Sequence, residues 1–96
     1  MRITSIQLEI KERPKEKTLE HVLGLIARAP ASDLILLPEI WTCGYFSFDR
    51  YRDDSEPLDG PTIKAMQQVA SQRRCHILTG SIVEREGEDL FNTSLL

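Results

Sequence analysis

Between Ile3 and Ile10 the apolar residues Ile6, Leu8 and Ile10 recur with period two, while Ser5, Gln7 and Glu9 take the alternate positions. Successive side chains of a strand point to opposite sides, so this spacing predicts a strand with one wet face or an edge position. After the charged stretch from Lys11 to Lys17 the period changes. Leu19, Val22, Leu23, Ile26 and Ala27 follow i, i+3, i+4, i+7, i+8 and stack along one stripe of a helix. Pro30 ends that helix, and its start falls either near Pro14 or at Thr18 acting as a cap. Leu34 to Leu37 is a continuous apolar run between Asp33 and Pro38, which predicts a short strand covered on both faces. Strand, helix and strand in this order predict a right-handed βαβ unit.

Asp59 to Thr62 supplies a turn and a proline at the first helical position, opening a second helix with Ile63, Met66, Val69 and Ala70 facing inward. His76 to Val83 reads as a third strand. Glu86 to Asp89 turns the chain, with Gly87 at the bend, into a fourth strand from Leu90 to Leu96, giving an antiparallel hairpin. The fold class is therefore α/β, in the order strand, helix, strand, helix, strand, strand. Two helices cover only one side of such a sheet. The other side of Leu34–Leu37 needs further helices, or a second sheet about 10 Å away, to leave water. Residues 1–96 are accordingly expected to be the first part of a longer domain.

The charge balance removes several classes of function. Twelve Lys and Arg against fifteen Asp and Glu give a net charge of -3, with the cations scattered, so nucleic acid is not an expected partner. The alternating N-terminus is unlike a signal peptide, and no segment approaches the ~20 apolar residues of a membrane span, which points to the cytoplasm and away from membranes. Cys43 and Cys75 stand far apart, and neither they nor His21 and His76 have metal-ligand spacing, so no metal and no disulfide framework is expected. His21 is expected on an exposed helix face and His76 at a strand entry.

The chemistry concentrates after the apolar run. Pro38 cannot donate a ladder hydrogen bond, so pairing stops there and the next side chain, Glu39, is free to project beyond the carboxyl end of the strand, where ligands collect in open α/β sheets. From pattern alone the commoner role for such a glutamate is a turn cap or a surface ion-pair partner. The connection from Trp41 to Pro57 is long, suggesting a lid or binding loop, and holds Trp41, Tyr45, Phe46, Phe48 and Tyr51. Rings so concentrated fold back over a core edge or a pocket wall.

The segment DLILLPEIWTCGY resembles the first active-site block of the nitrilase superfamily, the carbon-nitrogen hydrolases. RITSIQLEI resembles that family's first strand, LDGPTIKAMQQVASQRRCHILTGSIVE its second helix and third strand, and LFNTSLL the strand with its Asn-Thr pair. Together these motifs span essentially the whole chain. The resemblance implies a four-layer αββα sandwich of about 250 residues, of which residues 1–96 are the N-terminal portion, and homo-oligomers formed through the outer helices. It implies a hydrolase of small amides or nitriles that works with a glutamate, a lysine and a cysteine and needs no cofactor. Glu39 is the implied general base, and enclosure beneath the aromatic loop is expected to favour its protonated form. The lysine and cysteine would follow the Asn-Thr strand, beyond Leu96. Cys43 occupies a variable position of the motif and is expected to be a buried apolar thiol. Cys75 and Lys64 are expected to be bystanders, on a strand entry and a helix surface. Tyr45 and, behind it, Trp41 are candidates for the substrate pocket wall, with core packing as the other reading of both rings. Asn92 is expected to support the site through strand and turn hydrogen bonds. An alternative takes the chain as a catalytically silent module acting through association with another chain. A doubly wound nucleotide enzyme is disfavoured because no GxGxxG or GxxxxGK[ST] is present.

Overall fold

The computed structural model describes residues 1–96. Strands β1 (Ile3–Ser5), β2 (Leu34–Leu36) and β3 (His76–Leu78) form a parallel sheet in the order β1-β2-β3. Helix α1 (Lys15–Arg28) crosses from β1 to β2, and α3 (Pro61–Arg73) leads into β3. Register puts Thr4, Ile35 and Ile77 in one row, facing the helices. Ile35 and Ile77 meet Val22 and Ile26 of α1 and Met66 of α3 there, with Ile6, Leu37 and Trp41 completing the core.

The local signals explain where the elements stop. Pro14 opens α1, its carbonyl accepting the amides of Lys17 and Thr18, so Thr18 is an interior buried residue and not the cap. Ala29 leaves the helical region (ψ 147°) because the following proline sterically disfavours helical geometry in the residue before it. The first strand is shorter than its alternation predicts: after Ile6, whose amide still reaches Leu36 O at 2.9 Å, no partner strand continues.

The apolar stretch His76–Val83 is not one strand. It breaks at Thr79–Ser81, where Gly80 takes a positive φ of 64°, and a new strand β4 (Ile82–Glu86) departs to pair antiparallel with β5 (Asp89–Thr93). The predicted hairpin is present, with Gly87 (φ 59°) at the first turn position. Its far end is tied back to the parallel sheet, since Thr79 N–H donates to Leu95 O at 2.9 Å and Leu95 N–H to Thr79 Oγ1 at 3.0 Å.

The long connection is not a free lid. It contains a 3-10 turn (Phe48–Arg50) and a one-turn helix α2 (Tyr51–Asp54), then runs beside β4. Glu56 N–H donates to Val83 O at 3.0 Å and Arg85 N–H to Glu56 O at 2.8 Å. The Glu56 side chain is buried and caps α3, which has no capping side chain of its own. It accepts the Thr62 amide at 2.8 Å and the Thr62 hydroxyl, and stands 3.1 Å from Lys15 Nζ. A carboxylate at a helix N-terminus meets both the unpaired amides and the positive end of the dipole. Glu56→Ala would strand a largely buried ammonium and an uncapped amide, so a loss of about 3 kcal/mol is expected. Urea denaturation measures it, and Glu56→Gln, which keeps an acceptor for Thr62, is expected to lose less.

The opposite sheet face carries Ile3, Leu34 and His76 in one row and Ser5, Leu36 and Leu78 in the next. Leu34, Leu36 and Leu78 are only partly buried and Ile3 is exposed, so this face lacks the cover that its leucines demand.

Candidate active site

Leu37 makes the last ladder bond of β2, its amide donating to Leu78 O at 3.0 Å, and Pro38 then ends the pairing. The backbone next makes an unusual turn. Ile40 has φ 47°, a left-handed conformation that β-branched residues avoid. Surrounding contacts hold it there. The Ile40 side chain is buried with Cys43 and Val83, its N–H donates to Ser81 Oγ at 2.9 Å, and its carbonyl accepts the Gly44 amide at 2.8 Å. Strain of this kind costs of order 1–3 kcal/mol and persists where neighbours over-determine the geometry. The outcome is that Glu39 stands at the carboxyl end of the middle parallel strand, between two backbone anchors.

Gly80 makes that arrangement possible. A β-carbon there would lie 1.9 Å from Pro38 O and 2.3 Å from Leu37 O. The break between β3 and β4 therefore packs directly on the backbone that carries Glu39, and Ser81 N–H donates to Pro38 O at 3.2 Å.

Glu39 borders an open groove of about 340 Å³ whose other walls are Gly80, Ser81, Asn92 and Ser94. Asn92 Nδ2 donates to Glu39 Oε1 at 2.9 Å. The expected enclosure beneath the aromatic loop is not found: Glu39 is exposed, and no ring lines the groove. Phe46 stacks edge-on against Tyr45 (5.1 Å) and Phe48 (6.3 Å), which in turn meets Tyr51 at 5.6 Å. These rings pack on one another and leave the carboxylate uncovered.

Trp41 takes the core-packing reading. It is 1% exposed and its indole N–H donates to Thr79 O at 2.9 Å, which satisfies the only polar atom of a ring buried beneath the sheet end. Tyr45 is half exposed, and its carbonyl accepts the Tyr51 hydroxyl. It is absent from the lining of the Glu39 groove. His21, His76 and Lys64 are exposed, and Cys75 is partly buried against the core.

Cys43 is a poor nucleophile. It is buried, and burial first, then the nearby Asp54 carboxylate, push its thiol up to about 11 from 9.0. The thiol points to Ser47 O at 3.6 Å. This rise lowers the thiolate population at pH 8 about a hundredfold. In a Cys75→Ser background, alkylation of Cys43 at pH 8 is expected to be slower than that of an unfolded control by about one to two orders of magnitude. Equal rates would contradict the burial argument.

A larger concavity of about 870 Å³ lies at the opposite end of the sheet, among Arg2, Asp33, Arg73 and Arg74. Arg73 donates to the carbonyls of Ala29 and Pro30, and Arg2 to that of Ala31. Those cations serve carbonyls just past the α1 C-terminus, and nothing there resembles a reaction site.

Sequence reasoning placed Glu39 at the strand tip but missed what holds it: the Gly80 contact, the Ser81 hydroxyl and the strained Ile40. Only Gly80 carried a signal, as a glycine inside a strand pattern, which marks a bulge or a close backbone approach.

The sequence profile of the carbon-nitrogen hydrolase family matches residues 2–96. The chain belongs to that family. Among curated relatives, the 2-oxoglutaramate amidase of Paenarthrobacter nicotinovorans is 29% identical over 85 residues, covering 84% of this chain and 29% of that protein. The chloroplastic omega-amidase of Arabidopsis thaliana is 33% identical over 86 residues, 82% of this chain and 23% of that protein. The crystal structure of a carbon-nitrogen hydrolase superfamily protein from Xanthomonas campestris, which has an arsenic adduct in its active site, superposes with a TM-score of 0.84 at 28% identity. The match covers 98% of this chain and 35% of that one. A branch 10 nitrilase-superfamily protein from Saccharomyces cerevisiae shares the fold, with a TM-score of 0.66 at 22% identity over 98% of this chain and 38% of that one. The architecture is thus part of the nitrilase-like αββα fold. The chain spans between 23% and 38% of the length of these proteins.

Proposed function

We propose that this chain supplies the general base of a thiol-dependent hydrolase that cleaves carbon-nitrogen bonds in small amides. The observation that carries the proposal is the Glu39 carboxylate, held at the carboxyl end of β2 by a clamped backbone and one side-chain hydrogen bond. The names of the relatives, 2-oxoglutaramate amidase and omega-amidase, support the amide substrate class.

In the proposed reaction Glu39 takes the proton of a cysteine thiol, and the thiolate attacks the amide carbonyl. Glu39 then returns the proton to the departing amine, leaving a thioester that water cleaves with the same carboxylate as base. A lysine stabilises the oxyanion. No lysine or cysteine of this chain lines the Glu39 groove, so both are proposed to come from residues outside these 96. The same proposal assigns the half-bare face of Leu34, Leu36 and Leu78 to a second sheet of the domain, whose arrival would also exclude water around Glu39. In this reading Tyr45 meets substrate only once that wall is built.

Ammonia release from 2-oxoglutaramate and simple aliphatic amides by the intact protein tests the function. Release that is lost on thiol alkylation and retained in a Cys43→Ala, Cys75→Ala double variant is expected. Folded protein that releases no ammonia from any of these amides would overturn the proposal.

A further inference from the structure

We infer that Asn92 is a positioning residue that anchors Glu39 through Oε1 and so makes Oε2 the oxygen that carries the proton. This deepens the proposed function and rests on it. The contact is Asn92 Nδ2 to Glu39 Oε1 at 2.9 Å, and Oε2 takes no hydrogen bond from the chain. The orientation of the amide follows from charge, because the opposite face of Asn92 would bring its carbonyl oxygen against an anion. Asn92 is itself well fixed. It sits within β5 opposite Val83, which is buried with Ile40 and Cys43 in the cluster that holds the strained turn. Ser81, which accepts the Ile40 amide, immediately precedes β4 of the same hairpin. Backbone and side chain of Glu39 are therefore both referenced to one rigid unit.

Glu39 and Asn92 are both exposed, and a solvated hydrogen bond of this kind adds little to folding. What it does change is geometry. A free glutamate side chain turns about three torsions, whereas one pinned oxygen leaves the other pointing a defined way, the condition for proton transfer over hydrogen-bond distance. In the proton step the S–H bond breaks, the electron pair remains on sulfur, and the new O–H bond forms at Oε2. The proton later leaves from Oε2 to the amine nitrogen.

Two measurements test this. In amide-resolved NMR of the intact protein, the side-chain NH₂ signals of Asn92 are expected to shift in Glu39→Ala, which removes their acceptor. In Glu39→Gln, which keeps an oxygen able to accept the same bond, they are expected to shift less. In the intact protein, Asn92→Ala is expected to lower kcat about tenfold with KM and the unfolding midpoint unchanged. Asn92→Asp, which has the same shape but lacks the donor and sets a second carboxylate against Glu39, is expected to lose more. Signals of Asn92 that are the same in Glu39→Ala as in the unsubstituted protein, or an Asn92→Ala kcat within twofold of the unsubstituted protein, would remove the inference. Failure of the underlying function looks different: Glu39→Gln would then turn over normally, whatever the Asn92 variants do.

Discussion

Gly80→Ala is expected to lose at least about 4 kcal/mol of folding stability, the range reached only when a substitution meets a specific structural obstacle. Two independent costs coincide at this position. The backbone sits at φ 64°, where an alanine is strained even with space around it. Space is also missing, since the added carbon would lie 1.9 Å from Pro38 O and 2.6 Å from Pro38 C. Both atoms are backbone, so no side-chain rotation relieves the contact. Either β3 and β2 separate at their carboxyl ends or Pro38 moves, and either movement carries Glu39 with it. Urea denaturation gives the stability loss through the shift in midpoint at constant slope. The contrasting control is Gly87→Ala, where nothing lies within 4 Å and only the positive φ of 59° is penalised. A Gly80→Ala protein as stable as Gly87→Ala would show that the close approach is not needed.

That contact also marks the boundary of what could be read from the residues. Elements with strong periodicity were legible: the α1 stripe of Val22 and Ile26, the buried Ile35, and the inward set of α3 led by Ile63 and Met66 all lie where their spacing put them. The uncovered sheet face was legible too, as a mismatch between the apolar β2 and the number of helices available. The break at Thr79–Ser81 was not, because Ile77, Thr79 and Ser81 keep a period of two through it and only Gly80 interrupts. Trp41 was left between two readings for a related reason. Composition assigns a ring in a loop to either a core edge or a pocket, and only the Thr79 carbonyl, 38 residues away in sequence, decides between them by taking its N–H. Glu56 gave no signal at all. Its capping of α3 depends on a bridge to β4 and an ion pair with α1, contacts that no local pattern encodes.

The site itself divides the same way. The place of Glu39 at a strand tip was legible from Pro38 and from the strand that precedes it, while its candidate role came from the family resemblance. The partners that hold the residue come from Ser81, 41 residues beyond Ile40, and Asn92, 53 residues beyond Glu39, and become neighbours only because the β4–β5 hairpin folds back across the end of the parallel sheet. A strand tip presents a carboxylate, and a second element is needed to aim it.

Replacement of Glu39 by glutamine is expected to lower amide turnover by about a thousandfold, within the range that a positioned general acid or base contributes. Glutamine keeps the size of the side chain and an oxygen that can still accept the Asn92 donor, so the fold and the groove are preserved while proton uptake is lost. Stability should change by less than about 0.5 kcal/mol, because the residue is exposed and its single side-chain contact survives. The loss should fall on kcat and on kcat/KM together, as it does when an interaction is made only in the transition state. A second effect separates this from simple misfolding. With no carboxylate to take its proton, the thiol of the proposed mechanism should react more slowly with an uncharged alkylating agent at neutral pH, even without substrate. Turnover in Glu39→Gln within a few-fold of the parent, alongside an unchanged alkylation rate, would leave the carboxylate at the end of β2 without a chemical task.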